Sequence, residues 1–192
     1  DDLKGCGDEK AREKLKRQLA IDFSDDLKEQ LYEFEHIGIK HVQDPKTFEV
    51  YTHQNHYVKQ LHPINVDLVD RTNEAMALTG LAYALFRSLF GALQWLLQAR
   101  GDIVPYVGCL QRHANSPTVK HVLMINRVLR WCKHNKTGIL FPFLPGPLAM
   151  AVIADSAYKC EPDDDDCLAL RGFIIALMGW ISDTTYKLHI LD

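Results

Sequence analysis

An α+β fold is expected from two hydrophobic periodicities in one chain and from the place where they change. Between residues 86 and 97, Phe86, Leu89, Phe90, Leu93, Leu96 and Leu97 recur at i, i+3, i+4 and i+7, the spacing of one helix face. Residues 34–42, 48–52, 148–154, 169–180 and 186–191 instead form short alternating or β-branched runs, as strands do. Pro142, Pro145, Gly146 and Pro147 fall within six residues, and such a cluster continues neither a helix nor a central strand. The expected organisation is a hairpin with helices in 1–75, a helical unit in 76–141, a linker in 142–147 and an antiparallel three-stranded segment in 148–192.

Each element has a local reason. Residues 9–19 are highly charged with a thin apolar stripe, Ala11, Leu15 and Leu19, which predicts a surface helix lying over a sheet. The cluster Gln43-Asp44-Pro45-Lys46 predicts the turn between strands 34–42 and 48–52, and helix resumes near Gln54. The helix over 85–98 is apolar around much of its circumference and is expected in the core. Gly91 in its middle would cost about 1 kcal/mol relative to Ala in an exposed helix, so a closely approaching neighbour is expected there. A helix over 102–114 follows, with Asp102 as N-cap and Pro105 in its first turn. The last helix of the unit runs from Ser116 as N-cap, with Pro117 in first position, to about residue 136, and Gly138 ends it. On it Val122, Ile125, Val128, Leu129 and Cys132 share one face.

Composition excludes some classes. The 192 residues are 47% hydrophobic, enough for one or two small cores. No run approaches the ~20 apolar residues of a membrane span, so no membrane role is expected. Five cysteines, an odd number at irregular spacing, predict reduced thiols in a cytoplasmic or nuclear setting. Because the chain opens on Asp1 rather than Met, a cut or processed product is expected. Neither the pair Cys160 and Cys167, separated by four aspartates, nor His53, His56 and His62 has the spacing of a zinc site.

The net charge of −3 conceals a basic block. Residues 103–154 carry Arg112, Lys120, Arg127, Arg130, Lys133 and Lys136 and no acid, whereas the flanking regions are net acidic. Lys120, Arg127, Arg130 and His134 fall on a stripe away from the apolar face of the last helix. Such a stripe suits phosphates, and the alternative is a solvated helix face. Trp131 and Met124 border it; Trp131 would stack on a sugar or base there, or else simply pack.

The ordered motifs Phe86-Arg87-Ser88-Leu89-Phe90-Gly91-Ala92-Leu93, Arg100-Gly101-Asp102-Ile103, Asn115-Ser116-Pro117-Thr118, His121 and Arg127-Val128-Leu129-Arg130 stand in one line along the chain. Together they resemble the region that follows the polymerase active site of copia-type retrotransposon reverse transcriptases, with one extra residue before Asp102. The segment 34–40, Asp44 and Gln54-Asn55-His56-Tyr57-Val58 resembles that family's hairpin and following helix. Asp1-Asp2-Leu3 resembles the end of its aromatic-x-Asp-Asp signature, and Ala154-Asp155-Ser156-Ala157-Tyr158 with Gly172 resembles the opening of its ribonuclease H domain.

The resemblance implies an end of palm in 1–75, a thumb and connection unit in 76–141, and a truncated ribonuclease H-like domain in 148–192. It implies Asp1, Asp2 and Asp155 as catalytic and metal-binding carboxylates, with Mg2+ or Mn2+ as cofactor of the intact parent. It also implies an RNA–DNA or DNA duplex as partner of Lys120, Arg127, Arg130, Trp131 and His134. The fingers, most of the palm and the remainder of ribonuclease H lie outside the chain, so an RNA-directed DNA polymerase is implied for the parent and a catalytically incomplete fragment here. The alternatives are a host-retained, non-catalytic nucleic-acid-binding module and a helical protein-interaction domain.

Overall fold

The computed structural model describes residues 4–5, 7–23, 28–158, 169–182 and 185–190, with residues 155–158 and 169–172 described by backbone alone. Among them five α-helices combine with a four-stranded and a three-stranded antiparallel sheet, an α+β fold. The chain divides into two compact units, one built from 1–43 with 51–139 and the other from 44–50 with 140–192.

In the first unit, helix α1 (Glu9–Phe23) is capped by Asp8, whose Oδ1 accepts the Ala11 amide at 2.7 Å. Arg12 and Lys16 both pair with Glu29 at 3.2 Å. The helix buries none of its residues, contrary to the expectation that it covers a sheet. A stripe one residue wide offers too little apolar area to hold a helix down, and Leu15, Ile21 and Phe23 remain exposed.

Strands β1 (Glu33–His36) and β2 (Ile39–Gln43) pair antiparallel, His36 opposite Ile39. The run expected as one strand thus contains its own turn. Ile37 and Gly38 both take positive φ, 48° and 66°, as a two-residue hairpin connection requires. Strand β3 (Val50–His53) follows, and β4 (Ile139–Phe141) completes the order β1-β2-β3-β4. Contrary to expectation, Gly138 does not end a helix; a Cβ there would run into the Thr52 carbonyl, so glycine is needed for close passage of two backbones.

Helices α2 (Asn55–Gln60), α3 (Gly80–Leu96), α4 (Val104–Arg112) and α5 (Val119–His134) contribute to one core. Phe86, Leu93 and Leu96 of α3 meet there with Val107 and Leu110 of α4 and Val122, Ile125 and Leu129 of α5, all fully buried. Val128 and Cys132 are buried as the periodicity predicts. Helix α3 is less enclosed than expected, since Leu81 and Trp95 are exposed. Gly91 faces open space with nothing within reach of an added Cβ, so no neighbour approaches it. Gly91→Ala is therefore expected to stabilise the protein by about 1 kcal/mol, the intrinsic helix preference of Ala over Gly at an uncrowded site. An unchanged or lowered denaturation midpoint would count against this exposed placement.

The second unit carries the meander β5 (Leu148–Tyr158), β6 (Ala169–Ser182) and β7 (Thr185–Ile190) in that order. The β5–β6 register runs from Leu148 opposite Gly179 to Tyr158 opposite Ala169, and a bulge interrupts β6–β7 between Trp180 and Ser182. Strand β5 continues four residues beyond the expected end, which places Asp155 opposite Gly172 within the ladder. Gly179 lies so close to the Pro145 carbonyl and the Leu144 side chain that a Cβ would clash with both.

Candidate nucleic-acid interface

Helix α5 is the element that presents the basic stripe, and its start differs from the expected one. Ser116 is not the N-cap and Pro117 is not the first helical residue. The Pro117 carbonyl accepts the Leu78 amide at 2.9 Å, and Thr118 pairs with Ala77 in an isolated antiparallel bridge. This strand-like pairing holds residues 117–118 extended, so the helix begins at Val119 with Thr118 as N-cap. The first two amides of α5 are then satisfied by the same segment, Val119 by the Met76 carbonyl and Lys120 by the Glu74 carbonyl, both at 3.0 Å.

His121 completes the cap, its Nδ1 accepting the Thr118 amide at 2.9 Å while its ring stacks on His113 with centroids 4.3 Å apart. Burial holds its pKa below the ordinary value, helped by the neighbouring charges of His113 and Lys120. The neutral ring is the form that can accept at Nδ1, so electrostatics and capping favour the same state.

Along α5, Lys120, Arg127, Arg130, Trp131 and His134 are all exposed, opposite the side chains that pack in the core. Arg130 Nε donates to the Asn126 carbonyl at 3.3 Å, and His134 Nδ1 lies 2.8 Å from the Arg130 carbonyl, so both side chains lie back along their own helix. Among the described residues, Lys120, Arg127 and Arg130 form no salt bridge to a carboxylate. The stripe is therefore a row of exposed cations on a helix whose other face is anchored in the core.

Asp102 immediately precedes this basic block, and its carboxylate pairs with none of the stripe's cations. It does not cap α4, which starts at Val104 after a 3-10 turn over Gly101–Ile103, with Pro105 in its first turn. Its carboxylate instead accepts Arg100 Nε and Nη2, each at 2.7 Å, and Trp131 Nε1 at 2.9 Å. Arg100 is only 1% exposed, and its Nη1 also reaches the Cys132 carbonyl at 3.4 Å. The hydrogen bonds from Arg100 hold the Asp102 carboxyl below the usual carboxylate range, against the opposing effect of burial. Arg100 is consequently an internal fastener. Trp131, 53% exposed, presents a ring whose position is set by Asp102.

Two further contacts position the helices and were not anticipated from sequence. Asn126, on the buried side of α5, accepts the Ile64 amide at 2.9 Å and donates to the Ile64 carbonyl at 2.8 Å, pairing with a loop as a strand would. Arg87 of α3 donates to the Ala114 carbonyl at 3.2 Å and so ties the α4–α5 connection to α3. A polar residue within the apolar face of α5 was the available signal for Asn126.

Asp1 and Asp2 lie outside the described residues, and Asp155 is described only by its backbone position in β5. Among the described residues no group of three or more His, Cys, Asp or Glu is placed to hold a metal ion. His56, one of the three histidines near α2, instead pairs with Glu35 at 3.3 Å. Among the described residues no helix is long and apolar enough to cross a membrane. In comparisons with known proteins, no family model, no curated protein and no solved structure matches the chain.

Proposed function

We propose that the chain is the template-primer-gripping part of a copia-type retrotransposon reverse transcriptase with adjoining ribonuclease H, catalytically incomplete alone and working inside the cell. The ordered motifs between Phe86 and Arg130 suggest the family, and one structural observation supports a gripping role: Lys120, Arg127 and Arg130 remain solvent-exposed on α5 without carboxylate partners among the described residues. The stripe would follow the sugar-phosphate backbone of an RNA–DNA or DNA duplex, and Trp131 would meet a sugar or base edge beside it. The contacts would be to backbone phosphates, and the binding would carry no sequence preference. In the intact parent, Mg2+ or Mn2+ would supply nucleotide transfer and hybrid cleavage.

The test is fluorescence anisotropy with a labelled hybrid over a range of salt. The combined Lys120→Glu, Arg127→Glu and Arg130→Glu variant is expected to lose affinity and to flatten the dependence of log affinity on log salt by about one unit per phosphate contact removed. An unchanged affinity and slope would overturn the reading.

A further inference from the structure

We propose that a recess between α2 and α5, separate from the exposed stripe, is a binding site for a single phosphate group. The recess has a volume of about 260 Å³ and is lined by Asn55, Val58, Lys59, Cys132, Lys133 and Lys136. It deepens the nucleic-acid reading by naming where one backbone phosphate would sit, yet the argument for the recess uses different residues from the stripe.

Three lysines from two elements line one small space. Lys59 stands in the last turn of α2, Lys133 in the last turn of α5 and Lys136 just beyond it. No carboxylate lines the recess, and among the described residues none of the three lysines forms a salt bridge. Lysines at helix C-termini favour the helix dipole, which accounts for one cation at each end. It does not account for three lysines lining the same recess, where an anion between them would relieve the repulsion among like charges.

The walls fit the same ligand. Val58 and Cys132 belong to the buried core, so the floor is anchored rather than mobile. Burial pushes the Cys132 thiol up, which leaves no thiolate to oppose an incoming anion. Asn55 adds a neutral amide able to donate a hydrogen bond to a phosphate oxygen. The volume lies just under the ~300–1,000 Å³ of ordinary small-molecule pockets and is ample for a phosphate group.

The experiment uses the full chain, labelled with 15N, titrated with inorganic phosphate at constant ionic strength set by chloride. Saturable shifts of the Asn55, Lys59, Lys133 and Lys136 amides are expected, and their loss in the combined Lys59→Gln, Lys133→Gln and Lys136→Gln variant. An unchanged thermal midpoint would show that this surface variant is folded. The stripe variant at Lys120, Arg127 and Arg130 should retain the phosphate response, so failure of the stripe reading and failure of the recess are separately visible. In the duplex assay, a salt slope shallower by about one unit in the glutamine variant identifies the source as a backbone phosphate. Retained duplex binding with a lost phosphate response identifies free phosphate. Absent or non-saturating shifts in the wild type, or binding of an acidic peptide at these lysines with no phosphate response, would overturn the proposal.

Discussion

Asp102→Ala is expected to lower the unfolding free energy by about 3 kcal/mol. The substitution removes the only carboxylate that, among the described residues, pairs with a guanidinium that is 1% exposed, and breaking a buried pair by deleting one partner typically costs ~3–5 kcal/mol because the remaining charge stays uncompensated. The low end applies because the Asp102 side chain is itself about one-third exposed, at 32%, so water can partly replace it. Trp131 Nε1 loses its acceptor at the same time. Arg100→Met should cost less than Asp102→Ala, since it removes the charge that needs compensation. Denaturation followed by tryptophan fluorescence would rank the two, and the reverse order would remove Arg100 from the role of internal fastener. The same pair also has a pH signature: Asp102 has a lowered folded pKa, so its stabilisation is present above the ordinary carboxylate value near 3.8 and is lost as pH falls below it.

Leu93→Ala is expected to cost about 2–5 kcal/mol, the range for truncating a buried leucine, whereas Glu9→Ala should lie within about 0.5 kcal/mol of neutral. Leu93 is 0% exposed at the centre of the cluster that joins α3 to α4 and α5, so little can collapse into the space left behind. Glu9 stands on a helix that buries nothing. Equal chemical denaturation midpoints for the two variants would show that α3 does not organise this core.

The parts of the fold set by local periodicity were readable in the sequence, and the parts set by distant partners were not. The buried faces of α3 and α5 follow from 3.6-residue spacing, and the three strands of the second unit from alternation bounded by turns. The exposure of Lys120, Arg127 and Arg130 follows from the same helical arithmetic. Asp102 reads as a cap because an acid before Pro105 fits a helix start, whereas its carboxylate is taken by Arg100, two residues before it, and by Trp131, 29 residues away. Ser116 was misread for a related reason, as the bridge to residues 76–78 overrides its local preference. Gly91 and Gly138 show the limit most plainly. Glycine signals that a side chain is dispensable or forbidden, and only the neighbours in space decide which.

The clip at the start of α5 has a consequence for how the helix opens. Amides in the first turn of a helix ordinarily exchange with solvent deuterium early, because they have no partner four residues back. Those of Val119 and Lys120 are held by the carbonyls of Met76 and Glu74, and the Leu78 amide is held in return by Pro117. None of these can be released singly without parting the two segments. The first turn of α5 and the strap at 74–78 thus form one cooperative opening unit, and the protons on both sides of it should exchange at a common rate.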